Sequence, residues 1–132
     1  MLSARKGPIY LIRAAPLIKK EIPDVKIFII GKGPQKDFLA REAVKLGVKE
    51  NIEFLGFLPQ EDIPGYYRRA SVTVMPSLLE GFGLVALESM ASATPVVSSN
   101  IEPLVSLIGK GGLYFPPADH TVLARQVIRI LK

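Results

Sequence analysis

Three features of the sequence predict an α/β fold with a mostly parallel sheet. Short β-branched runs alternate with longer stretches of helical period, each run is apolar enough to be buried on both faces, and the helical stretches carry caps and breakers at their ends. Parallel strands joined by helices require right-handed crossovers, which place helices on both faces and make three layers.

The strands are expected at Val25–Ile30 (VKIFII), Ile52–Leu55 (IEFL), Val72–Met75 (VTVM), Pro95–Ser98 (PVVS) and Leu113–Phe115 (LYF). The first helix is expected over Pro8–Ile22. Pro8 suits an initial turn, Ile9, Ile12, Leu17 and Ile18 fall near one side, and Pro16 is expected to bend the helix or end it early. Gln35–Leu46 brings Phe38, Leu39, Ala43 and Leu46 together and stops at Gly47, a residue suited to a helix C-terminus. Glu61–Ala70 and Gly83–Ser92 follow. Asp119–Leu131 has Asp119 as N-cap and turns Leu123, Val127, Ile130 and Leu131 inward. The result is a Rossmann-like three-layer sandwich. No strand precedes the first basic turn and helix, which suggests a piece of a longer protein.

Composition narrows the function. The 132 residues fit a single domain spanning 1–132, and 48% hydrophobic with 22% charged residues is too apolar for disorder. No 18-residue uncharged apolar run is present to span a bilayer. Absence of cysteine excludes disulfides, a thiolate nucleophile and cysteine-bound zinc, and fits a reducing cytoplasm. The single His120 leaves no histidine cluster for a metal, and it reads as an exposed helix-start residue. The net charge of +5 is spread over both halves, which suits an anionic ligand or an anionic membrane surface. Nucleic acid fits poorly, because few aromatic residues interleave with the basic ones. Arg68 and Arg69 suit a helix end, Tyr66 and Tyr67 read as packing, and Lys19 and Lys20 as a solvated face.

Ligands of such sheets lie beyond the carboxyl ends of the strands. The loop Gly31-Lys32-Gly33-Pro34 lacks the third glycine of a dinucleotide fingerprint and the Lys-Ser/Thr of a P-loop, so by itself it is either a turn or a ligand loop. Gly56-Phe57-Leu58-Pro59 is equally ambiguous. The third loop, Pro76–Leu84, is more specific. Gly81 and Gly83 leave amides uncovered at a helix start, where orphan donors and the helix dipole favour an anion such as phosphate. In that helix Glu88 is the sole charged residue from Leu84 to Ser92, and lies about 40° from Leu84 in a sector read as apolar and buried. A desolvated carboxylate needs partners, either a core Arg or Lys or the hydroxyls of a ligand. Glu80 reads as a solvated loop residue or a ligand contact.

Glu80 and Glu88, with seven residues between them in EGFGLVALESMASATPVV, resemble the E-x7-E signature of the group 1 (family four) retaining glycosyltransferases, enzymes of the GT-B fold. Lys6-Gly7, IIGKGP, FLGFLP and GGLYFPPAD resemble further segments of the family's C-terminal half, so that nearly the whole chain is covered. The resemblance implies one half of a GT-B fold, binding a nucleotide diphosphate sugar as substrate and needing no cofactor and no metal. It implies transfer of a hexose with retention of configuration, and a missing N-terminal domain that holds the acceptor. It further implies that Glu88 accepts hydrogen bonds from the ribose hydroxyls, that Glu80 faces the donor sugar, and that Lys6 neutralises the departing diphosphate. The amides of Phe82, Gly83, Leu84 and Val85 would hold diphosphate and sugar, Gly31 and Gly33 would admit the nucleotide, and Gly56, Phe57 and Leu58 would lie near the base. Lys6 as a bare cation at a helix start is mildly unfavourable, which favours an anion beside it.

The chain departs from the family in three places. Arg5 does not occupy the position of the usual phosphate-binding arginine, Ala93 replaces a glycine, and Glu102-Pro103-Leu104-Val105-Ser106 replaces a Gly-Gly-x-Pro-Glu loop near the donor. The isolated piece is therefore expected to bind donor weakly and not to turn over, with contact to anionic lipid as a further expectation. Two other readings are a noncatalytic nucleotide-sugar or protein interaction module on the same half-fold and a fragment of a GT-B nucleotide-sugar epimerase.

Overall fold

The computed structural model describes residues 2–132. Among them are five strands and six α-helices: α1 (Pro8–Glu21), β1 (Ile27–Ile30), α2 (Lys36–Lys45), β2 (Ile52–Gly56), α3 (Ile63–Arg69), β3 (Thr73–Met75), α4 (Leu84–Ala91), β4 (Val96–Ser99), α5 (Leu104–Ile108), β5 (Gly112–Phe115) and α6 (His120–Leu131). All pairing is parallel. It forms two ladders, β1 with β2 and β3-β4-β5, with no hydrogen-bonded pairing between β1 and β3. Helix α1 packs against α2 and α6, and α4 against α3 and α5, so the helices form two groups around the strands.

Helix α1 spans the two ladders. Its Ile9, Ile12 and Ala15 join a core with Ile27, Ile29, Leu39 and Val48, whereas Ala14 and Ile18 join Val97, Phe115, Leu123 and Val127. A third core of Met75, Ala86, Val96, Leu104 and Ile108 lies under α4 and α5. Strand β1 is introduced by the buried Asn51, whose Nδ2 donates to Pro23 O at 3.2 Å and Val25 O at 2.9 Å. The N-cap at Asp119 forms as expected, its carboxylate accepting from Val122 N at 3.0 Å.

Several expectations change. Helix α1 runs through Pro16 to Glu21, because Ile12, Ala14, Ala15 and Ile18 are buried and tertiary packing outweighs the one main-chain bond that proline removes. Burial on both faces holds for β4 alone: all four of its residues are buried, while Phe28 in β1 is half exposed and meets Tyr66 edge to face at 6.2 Å. Helix α5 was not foreseen. Its Leu104 and Ile108, four residues apart, are both buried, and the Glu102 side chain accepts from Ser106 N at 3.0 Å and Ser106 Oγ at 2.9 Å.

Candidate active site

The chain ahead of α1 is pinned to the loop after β3. Arg5 O accepts from Leu78 N at 2.8 Å, and at Gly7 (φ +64°) a β-carbon would overlap the carbonyl oxygen of Pro76. Only glycine permits both the left-handed turn and that approach. The contact delivers Lys6 to Glu80, with Nζ 2.7 Å from Oε1. Ser77, itself buried, donates from Oγ to Glu80 Oε2 at 3.0 Å. Burial alone would raise the Glu80 pKa, but hydrogen bonds from Lys6 and Ser77, the Lys6 charge and the Gly83 amide outweigh it and hold the carboxyl below its ordinary value of 4.5. Glu80 is therefore an ionised carboxylate paired with a cation.

Gly83, with φ +88°, precedes the first turn of α4, and a β-carbon there would lie 3.0 Å from the side chains of Leu104 and Leu107. Helix α5 therefore roofs one side of this turn, while Gly81 lies in open space and Phe82 is 68% exposed. At the start of α4 the amides of Leu84 and Val85 precede the intrahelical ladder and are available to an anion.

One turn further along α4, Glu88 is half-buried and accepts from Tyr67 Oη at 3.0 Å through Oε2. No Arg or Lys pairs with it among the described residues. Burial first, then the Glu88 hydrogen bond and charge, push the Tyr67 hydroxyl well above its ordinary pKa, so Tyr67 is a fixed donor. The expectation that the sector around Leu84 and Glu88 is buried is corrected: Leu84 and its apolar neighbours Val85, Leu87 and Ala91 are exposed, and the buried positions are Ala86 and Ser89. Ser89 is tolerated in the core because Oγ donates to Thr94 O at 2.9 Å and lies 2.8 Å from Thr73 Oγ1.

Lys6, Ser77, Glu80, Val85, Glu88 and Tyr67 line one cleft of about 1030 Å³. The other expected residues lie outside its lining: Gly31, Gly33, Phe57, Leu58, Phe82 and Gly83 in loops, Gly56 at the end of β2 and Leu84 at the start of α4. Gly31 donates to Gly56 O at 2.8 Å, joining the loops that follow β1 and β2. Gly33 abuts the backbone of Leu2, a packing reason for glycine that stands beside any ligand role. Phe57 is 71% exposed, Leu58 is partly exposed and Leu84 is exposed. Ser77 and Tyr67 are the site residues that sequence reasoning missed. A serine three residues before a glutamate is a weak signal, and nothing in the sequence separates Tyr67 from a packing tyrosine. Arg68 and Arg69 close α3 as expected, Arg69 stacking on Tyr66 at 4.9 Å. His120 opens α6. Among the described residues no three His, Asp or Glu side chains converge on a metal position, and no helix is long and apolar enough to cross a membrane.

The chain is similar to known proteins in sequence and in fold. The family model described as glycosyl transferases group 1 matches residues 1–132. The chain is 39% identical to an uncharacterized glycosyltransferase of Methanocaldococcus jannaschii, covering 98% of this chain and 34% of the relative. It is 38% identical to the GDP-mannose-dependent alpha-(1-6)-phosphatidylinositol monomannoside mannosyltransferase of Mycolicibacterium smegmatis, covering 96% and 35%. The chain thus spans about a third of the length of these curated relatives. Among solved structures, Anabaena HepE in complex with UDP and glucose superposes with a TM-score of 0.89 at 27% identity, over 99% of this chain and 36% of that one. The C-terminal domain of a group 1 family glycosyl transferase from Francisella tularensis, LpcC, superposes with a TM-score of 0.86 at 29% identity, over 98% and 71%. The fold is the Rossmann-like half of a GT-B glycosyltransferase, and the chain belongs to the group 1 glycosyl transferases.

Proposed function

We propose that this chain is the donor-binding half of a retaining glycosyltransferase that moves a hexose from a nucleoside diphosphate sugar to an acceptor held by an N-terminal domain. The observation that carries the reading is the convergence of Lys6 and Glu80 with Val85 and Glu88 from the first two turns of α4 on one cleft. A diphosphate at the edge of this cleft meets Lys6 from within it and the amides of Phe82, Gly83, Leu84 and Val85 from the adjoining start of α4. These place positive charge where the bond between the anomeric carbon and the diphosphate oxygen breaks. The departing diphosphate takes the electron pair, and the acceptor oxygen forms the new bond while its proton passes to the departing diphosphate oxygen. Glu80 faces the sugar and stabilises positive charge developing at the anomeric carbon. Glu88, oriented by Tyr67, accepts from the ribose hydroxyls. Gly31 and Gly33 admit the nucleotide, and Gly56, Phe57 and Leu58 lie toward the base.

Charge stabilisation in this scheme comes from Lys6 and main-chain amides, and no step calls on a metal or cofactor. One relative is named for GDP-mannose and one neighbour was solved with UDP and glucose, which supports a nucleotide sugar and leaves two bases to test. The reading includes a cytoplasmic location with peripheral contact to anionic membrane. Alone, this half binds donor weakly and does not turn over.

Titration of the 132-residue chain with UDP and with GDP, followed through the amide resonances of Phe82 to Val85, tests the reading. Shifts confined to these amides and the Gly31 and Gly56 loops at millimolar ligand are expected. A folded chain in which no amide from Phe82 to Val85 moves would refute it.

A further inference from the structure

The two members of the Lys6–Glu80 pair are unequally accessible. The side chain of Lys6 is 33% exposed and that of Glu80 only 9%, so a solute reaches the lysine first. Each oxygen of the carboxylate already has a donor from the chain: Lys6 Nζ on Oε1 at 2.7 Å, and Oγ of the buried Ser77 on Oε2 at 3.0 Å. The Gly83 amide also acts on this carboxylate and lowers its pKa. A sugar hydroxyl that donates to Glu80 in the free protein therefore has to displace the lysine, a charged donor, with a neutral one. Charge-assisted hydrogen bonds are roughly twice as strong as neutral ones, so that exchange is uphill.

The donors differ in how they can be withdrawn. Ser77 is buried and lies three positions before Glu80 in the same loop, so its hold on Oε2 is fixed. Lys6 reaches across from the Ala4–Lys6 turn. The bond from Leu78 N to Arg5 O at 2.8 Å pins the main chain of that turn, while the lysine charge rides on a flexible four-carbon stem. Nζ can turn from the carboxylate to a second anion without movement of the backbone. A diphosphate is such an anion, and it draws on the Gly83 amide as well.

We propose that Lys6 is a switch that couples the two halves of the donor: a diphosphate takes Lys6, and only then is Oε1 of Glu80 open to the hydroxyls of a sugar, while Ser77 keeps Oε2 in place. The switch rests on the site proposed above for a nucleotide sugar and adds an order of events to it. A carboxylate with so little exposure is costly to leave unpaired, so the departure of Lys6 makes Oε1 a stronger acceptor, and a sugar hydroxyl fills the place. Diphosphate and sugar then bind with positive coupling, and each strengthens the other by the same factor. The exchange runs backward after transfer. With the sugar gone, Glu80 lacks a donor at Oε1 and reclaims Lys6, which loosens the diphosphate product.

The test titrates the 132-residue chain with D-glucose and with D-mannose, each with and without saturating UDP or GDP, and reads the Glu80 carboxyl carbon and the Phe82 to Val85 amides by NMR. Hexose alone is expected to leave the Glu80 resonance unmoved, and a nucleoside diphosphate to raise the affinity of at least one hexose about 10-fold or more. In Lys6→Met the hexose is expected to bind with or without diphosphate, the two affinities agreeing within about 2-fold. Equal hexose affinity with and without diphosphate in the parent chain would overturn the proposal, whether or not the variant folds. Coupling that survives in Lys6→Met would overturn it too, since it would come from contact between the two ligands. The same holds if diphosphate moves the amides and no hexose then moves Glu80. Amides that stay still with diphosphate would bring down the proposed site together with the switch.

Discussion

Lys6 Nζ and Glu80 Oε1, 74 positions apart in sequence, lie 2.7 Å from each other, so in the free protein the cation proposed to meet a diphosphate is already paired. An incoming anion competes with Glu80 for Lys6. Glu80→Gln keeps the shape and removes the competitor, so UDP is expected to bind the variant about 3- to 10-fold more tightly, in line with about 1 kcal/mol for a partly exposed pair. Lys6→Ala is expected to shift affinity the opposite way. Calorimetric titration of both variants checks the pair of signs, and a loss of affinity in Glu80→Gln would contradict the competition.

The same contact makes stability depend on pH. The folded-state pKa of Glu80 lies below the ordinary 4.5, so its stabilising contribution is fully present above that value and disappears as pH falls through the folded pKa. Urea unfolding of the parent and of Glu80→Gln should therefore show a constant gap from neutral pH down to about 5 and a shrinking gap below it. A gap that widens on acidification would mean that burial, which acts alone to raise the pKa, is the stronger effect.

Tyr67 acts through Glu88. Its hydroxyl holds Oε2 of that carboxylate at 3.0 Å, and the proposed ribose contact would fall to Oε1. Tyr67→Phe should weaken UDP binding about 5- to 10-fold by freeing the carboxylate, while stability changes by about 1 kcal/mol. Glu88→Gln, which still accepts from Tyr67, should also cost affinity with little loss of stability. A loss of several kcal/mol in the Gln variant would make Glu88 a core residue instead of a ligand contact. Chemical denaturation and ligand titration on the same samples separate the two.

What the sequence made legible was governed by local rules. The strand runs, the α6 cap at Asp119 and the glycine turn before α4 all rest on patterns within a few residues, and every expected element forms within a residue or two of its expected ends. The misreadings involve partners distant in sequence. Ser89 is buried because Thr73 and Thr94 satisfy it, which inverts the face assigned to α4. Pro16 survives inside α1 because both ladders pack on that helix. The pairing of Lys6 with Glu80 depends on Arg5 O accepting from Leu78 N, and neither spacing nor composition reveals that bond.

Ala93 shows a local rule violated. It sits at φ +59°, where an L-residue other than glycine is strained. Relief of that strain is about 1–2 kcal/mol, against which the added freedom of an unfolded glycine costs about 0.4–1 kcal/mol. Ala93→Gly is therefore expected to stabilise the chain by about 0.5–1 kcal/mol, read as a higher urea midpoint at unchanged slope. A lower midpoint would place the strain elsewhere.

Gly7 tests whether the site depends on the close approach to Pro76. Gly47 is a matched control: both glycines have positive φ, +64° and +74°, but a β-carbon meets nothing within 4 Å at Gly47 and overlaps the Pro76 carbonyl at Gly7. Gly47→Ala should cost about 0.5–1 kcal/mol, the left-handed strain less the freedom that glycine has in the unfolded chain. Gly7→Ala must pay that and also move the Ala4–Lys6 turn off the β3 loop, so its cost should exceed the control by a further 1–3 kcal/mol, about that of overpacking. Moving that turn separates Lys6 from Glu80. Carboxyl titration by NMR should then show Glu80 rising toward 4.5 in Gly7→Ala and unchanged in Gly47→Ala, because burial is then opposed by Ser77 and the Gly83 amide without the lysine. Equal costs in the two variants, with Glu80 still depressed in both, would show that the lysine reaches its carboxylate without help from the glycine.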